Sequence, residues 1–82
     1  MSDNQIKQFQ ADRDAALLSL DETKIRAFAQ KYEAPLPSDP DTFWTAVHKA
    51  RTGAKSLPEF DRRISMSWLS DRGFKDFADD LS

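Results

Sequence analysis

The sequence predicts an all-α protein, a compact bundle of four helices in one domain spanning residues 1–82. Three observations predict it. Apolar residues recur at intervals of three and four, the spacing of one helix face. Start and stop residues (Asp21, Pro35 and Pro37, Asp39-Pro40, Gly53, Ser56 to Glu59, Gly73) cut the chain into helix-sized pieces. No stretch of the sequence alternates apolar and polar residues as a half-buried strand would.

The first helix is expected over residues 3–18, with Asp3 at its start and Ile6, Phe9, Ala16, Leu17 and Leu20 along one side. Two competing caps begin the second helix. Asp21 can accept from free N–H groups, with Leu20 and Ile25 as a hydrophobic staple, or Ser19 and Glu22 can form a capping box. Ile25, Phe28, Ala29 and Tyr32 then make a clean stripe. Pro35 and Pro37 stop the helix near Glu33 and leave residues 34–38 as an extended connector.

A third helix follows, capped by Ser38 or Asp39, with Pro40 where its missing N–H costs little. Phe43, Trp44, Val47 and Ala50 are expected inside, and Gly53 is expected to end the helix in a left-handed conformation. Ser56-Leu57-Pro58-Glu59 reads as a capping box for the fourth helix, whose expected core stripe is Phe60, Ile64 and Trp68. Gly73 ends it, with Phe74 folding back toward Leu69. Residues 75–82, with Phe77 and Leu81, read either as a short fifth turn or as an acidic tail.

Composition narrows the function classes. Aromatic residues at 11% argue against disorder, because they supply the apolar area that offsets ordering entropy. Cysteine is absent, which points to a reducing compartment, the cytoplasm, and removes thiolate and Cys-based zinc chemistry. The first ten residues hold no apolar run of signal-peptide type, and nothing reaches membrane-spanning length, so no membrane association is expected. Net charge is −2, and it is unevenly spread: residues 49–63 are locally basic, the flanks acidic.

Few residues carry chemistry. His48 is the one side chain with an ordinary pKa near neutrality, but no nucleophile motif surrounds Thr52, Ser65 or Ser67, so it reads as structural or surface. Asp39 and Asp41 read as helix-start residues, not metal ligands, because Pro40 lies between them and no further ligands follow at calcium-loop spacing. No catalytic, metal or cofactor site is expected. The basic run offers phosphate contacts, with Trp44 or His48 for stacking. A sequence pI of about 5.2 weighs against a nucleic-acid binder. Tryptophan and arginine also dominate protein–protein contacts. Trp44, His48, Arg51, Lys55, Arg62 and Arg63 are therefore the candidate partner-binding residues.

FWTAVHKARTG followed by SLPEFDRRISMSWLSDRGF resembles a family of small bacterial and phage-type helical proteins. Its pattern is an aromatic pair before a VHKA-like segment, then SLP, an Arg, a Ser, a WL pair and an RGF or HGY ending. ALLSLDETKIRAFAQKYEAPLP is similar to that family's second helix and proline exit, so the resemblance covers most of residues 15–74. It implies a small helical protein carried by phage or mobile elements, and transfers no functional residue. The expected function is that of a non-catalytic cytoplasmic accessory protein acting by protein–protein binding, inhibition of a host protein being one purpose. The alternative is a nucleic-acid-binding regulator using residues 49–63. Whether the chain self-associates is left open by the sequence.

Overall fold

A computed structural model of the chain describes residues 3–74. Those residues form four helices and no strand: α1 (Asp3–Ser19), α2 (Glu22–Lys31), α3 (Pro40–Gly53) and α4 (Glu59–Asp71). The protein is all-α, as its sequence predicts. The expected fifth turn or tail at 75–82, with Phe77 and Leu81, lies outside the described residues. The chain divides into two compact units, Met1–Leu36 and Pro37–Ser82. The division falls within the proline connector, whose residues are barred from continuing either helix.

In the first unit α1 packs on α2, burying Ala16, Leu17, Ile25 and Ala29. Phe9, Phe28 and Tyr32 form a ring cluster with centroids 4.9 to 5.5 Å apart. Beside it Asp12 accepts from the Tyr32 hydroxyl, from Lys31 Nζ at 2.9 Å and from Gln8 Nε2 at 2.9 Å. The Tyr32 hydroxyl, followed by Lys31, holds the Asp12 carboxyl below its ordinary pKa. Of the two caps, Asp21 is the one used: its side chain accepts from Lys24 N at 3.2 Å. Ser19 instead bonds locally, donating to Ala16 O and accepting from Asp21 N. Leu20 and Ile6 are corrections. Leu20 takes a left-handed φ of 51° to turn the chain and is 40% exposed, and Ile6 is 41% exposed.

Glu33, not the prolines, makes the reversal after α2. It sits at φ 55°, which lets Ala34 N reach Ala29 O at 2.8 Å and Glu33 N reach Gln30 O at 3.3 Å. Pro35 then keeps the next residues extended.

The second unit is built on α3 and α4, which meet along more of their length than α1 and α2 do. Asp39 caps α3, accepting from Thr42 N and Thr42 Oγ1, both at 3.0 Å, with Pro40 in the first turn as expected. The Thr42 bonds hold the Asp39 carboxyl below its ordinary pKa. Gly53 is the last residue of α3, as expected, but it lacks the expected left-handed conformation. It stays helical, and Ala54 leaves the helix in an extended conformation at φ −86°, itself buried. The cap of α4 lies two residues beyond Ser56. Pro58 occupies the cap position without a side-chain bond, and α4 begins at Glu59. At the other end the prediction holds: Gly73 has φ 93°, Phe74 N bonds to Leu69 O at 3.0 Å, and Gly73 N bonds to Ser70 O at 3.0 Å.

The face that α4 turns inward is the largest correction. Phe60, placed in the core by its spacing, is 74% exposed, and Ile64 is 40% exposed. Ser65 and Leu69 are the residues fully buried. On α3, Phe43 and Val47 are buried as expected, but Ala50 is exposed and His48 and Arg51 take interior positions.

Candidate functional site

The polar centre of the second unit follows from helical spacing. Val47, His48, Arg51 and Thr52 share one side of α3, and Asp61, Ser65, Trp68 and Leu69 share one side of α4. Where the two sides meet, Ser65 is small enough for the long Arg51 side chain to cross it. Arg51 and Ser65 are both fully buried. Arg51 Nε donates to Ser65 Oγ at 2.6 Å, and its Nη2 donates to Asp61 O at 3.0 Å. Asp61 Oδ1 stands 3.4 Å from the same nitrogen. An arginine in the interior is tolerable only when its donors are met, and here they are met largely from α4.

His48 completes the centre, its Nδ1 lying 2.9 Å from Ser65 Oγ. Arg51 can only donate to that oxygen, and the imidazole tautomer sets which way the second bond, between Ser65 Oγ and His48 Nδ1, runs. The imidazole stacks on Trp68, with centroids 4.2 Å apart and planes 21° from parallel. The Arg72 guanidinium lies over the same indole at 4.1 Å. Burial first, and then the nearby Arg51 and Arg72 charges, push the His48 pKa down to about 4. The ring is neutral at physiological pH.

A serine beside a histidine is the pairing of nucleophile and general base. Here the geometry gives it a different role. Ser65 is fully buried, so a substrate carbonyl cannot reach its Oγ, and the oxygen is already committed to Arg51. The trio ties α3 to α4. Among the described residues no group of three or more His, Asp or Glu stands together as a metal site would require.

The six candidate contact residues do not share one face. His48 and Arg51 are interior, which removes them as contacts: a guanidinium and an imidazole that hold two helices together are not available to a partner. Trp44 is half-buried, edge-on to Phe43 with centroids 4.9 Å apart. Lys55 and Arg63 are exposed, and Arg62 is half-buried with its Nε 3.4 Å from Thr52 O. Arg63 pairs with Glu59 at 3.0 Å, and a shallow depression of about 320 Å³ runs between Glu59, Arg62, Arg63 and Met66. Lys49, the remaining cation of the basic run, sits over the Phe74 ring at 4.7 Å.

Phe60 and Ile64 join this outer surface, and the spacing rule alone misplaces them. Four-residue spacing identifies a face without saying which way it points. A usable signal was present: Asp61 and Ser65, also four apart, can satisfy a buried arginine, and Phe60 and Ile64 cannot. A larger depression, about 640 Å³, lies in the first unit against Ile6, Phe9, Arg13 and Tyr32, and contains none of the candidate residues.

Compared with known proteins, the chain matches no family model, no curated protein and no solved structure.

Proposed function

We propose that this protein is a non-catalytic accessory protein that binds another protein through the outward face of α4 and the loop before it. Phe60 and Ile64 supply the apolar centre, and Lys55, Arg62 and Arg63 the polar border. The observation that carries the reading is Phe60 at 74% exposure, one turn from the partly exposed Ile64. A large apolar group held in water with basic neighbours is the composition of a protein–protein contact centre. The fully buried Ser65 beside His48 supports the non-catalytic half of the reading.

Nucleic-acid binding is less favoured. Arg51 is spent in the interior, and Lys49 lies on an aromatic ring. No helix among the described residues is long and apolar enough to cross a membrane. A cytoplasmic setting is proposed from the absence of cysteine, and a phage or mobile-element origin from the resemblance over residues 15–74 alone.

The test is capture from bacterial lysate by immobilised wild type and by a Phe60→Asp, Lys55→Glu variant. Both substituted residues are exposed, so the variant should fold and should lose the proteins that wild type retains. Retention of the same set by both would remove this face from consideration.

A further inference from the structure

We propose that the outward face of α4 is self-complementary and pairs with the same face of a second copy, the two helices running antiparallel about a two-fold axis. This inference rests on the reading of that face as a binding surface and names an occupant for it. Phe60 alone would fit many partners. The charges around it are more selective. Glu59 and Arg63 lie on either side of Phe60 along α4, and their side chains are 75% and 65% exposed.

An exposed pair of this kind within one helix contributes little, so either member can exchange its partner without loss. An axis level with Asp61 places Glu59 of each copy against Arg63 of the other, because both lie two residues from that level. The same axis brings the two Phe60 rings side by side, offset along the helices by about 3 Å. A purely acidic partner would satisfy Arg63 and meet Glu59 as a like charge. A second copy supplies both signs opposite the Glu59 and Arg63 side chains.

A two-fold contact also closes on itself at two subunits. A single face of a helix this short buries area at the low end of specific interfaces, so the dimer is weak and becomes populated only at about 100 µM and above.

Sedimentation velocity of the full chain from about 5 to about 500 µM tests the proposal across that range. The sedimentation coefficient of wild type is expected to rise with concentration. Phe60→Asp is expected to stay monomeric throughout with unchanged far-ultraviolet helix content, weakening association at least about tenfold. Glu59→Arg and Arg63→Glu should each fail to associate alone, since like charges then face each other. An equimolar mixture of the two should associate again, because every facing pair is then opposite in sign. Wild type that stays monomeric at the highest concentration overturns the second copy as occupant and leaves the reading of the face intact. A dimer that survives Phe60→Asp and both charge variants forms through another surface and overturns this inference, while the α4 face as a site for a different protein is judged by the lysate comparison.

Discussion

The two units place their polar networks in opposite positions. In the first, Asp12 gathers Gln8, Lys31 and Tyr32 at the rim of an aromatic cluster, where the Lys31 side chain is 62% exposed. In the second, Arg51 and Ser65 meet in the middle of the contact between α3 and α4, both without exposure. Water can replace any member of the rim network and salt screens it. Nothing replaces a member of the inner one, because the groups left behind are already desolvated. The rim network therefore adds to a contact that the rings already make. The inner one decides which residues of α3 may face which residues of α4, since a shift along either helix leaves a guanidinium in an apolar surround.

Arg51→Ala should break this difference open with the largest effect. It empties a fully buried volume and takes the guanidinium donors away from Ser65 Oγ and Asp61 O, a combination that costs about 3–5 kcal/mol. A chain of this size has roughly 4–12 kcal/mol in total, so urea unfolding should find the variant close to the edge of folding. A loss under about 1 kcal/mol would mean that the inner network is dispensable and the comparison wrong.

Lowering the pH applies a milder stress to the same place. His48 titrates at about 4 in the folded chain against an ordinary value of 6.5. Above pH 6.5 both states hold it neutral. As pH falls from 6.5 toward 4, the unfolded chain takes up a proton that the folded chain refuses, so stability is lost across that window, by up to about 3 kcal/mol. The groups responsible are the burial between α3 and Trp68 and the charges of Arg51 and Arg72. Asp12 and Asp39, both held below 3.8, contribute only at lower pH. Urea midpoints at pH 7.5 and 4.5 should differ more for wild type than for His48→Gln. Equal differences would show that some other group sets the acid limb.

The same contrast explains how much could be read from the sequence. Helix positions follow from local signals and were legible: Asp21 and Asp39 cap as their residue types suggest, the prolines clear the connector, and Gly73 makes the left-handed stop. Signals that depend on tertiary choice misled. Gly53 needs no left-handed turn because buried Ala54 carries the chain away extended. Glu33 takes the left-handed position that composition reserves for glycine, since the bonds from Ala34 and Glu33 back into α2 outweigh its local cost. The site was legible as residues and not as arrangement. Residue type marks His48 and Arg51 as candidate contacts, and the fold places both inside. The spacing of Asp61 and Ser65 offers a way to satisfy a buried arginine, and the fold uses it: Arg51 is inside, and Phe60 and Ile64 turn outward.

Tyr32→Phe gives the smallest effect and the sharpest form of the comparison. The ring keeps its contacts with Phe9 and Phe28, so the aromatic cluster survives, and only the hydroxyl that donates to Asp12 is removed. That hydroxyl is the first cause of the depressed Asp12 pKa, ahead of Lys31, so the carboxyl should titrate closer to its ordinary 3.8 in the variant. Carboxyl chemical shifts followed by NMR would report the change. Stability at neutral pH should move far less than in Arg51→Ala, because water and Lys31 remain to solvate the carboxylate. If the urea midpoint instead dropped as far as it does for Arg51→Ala, exposure would not be what separates the two networks. The strength of the individual hydrogen bonds would then have to account for both.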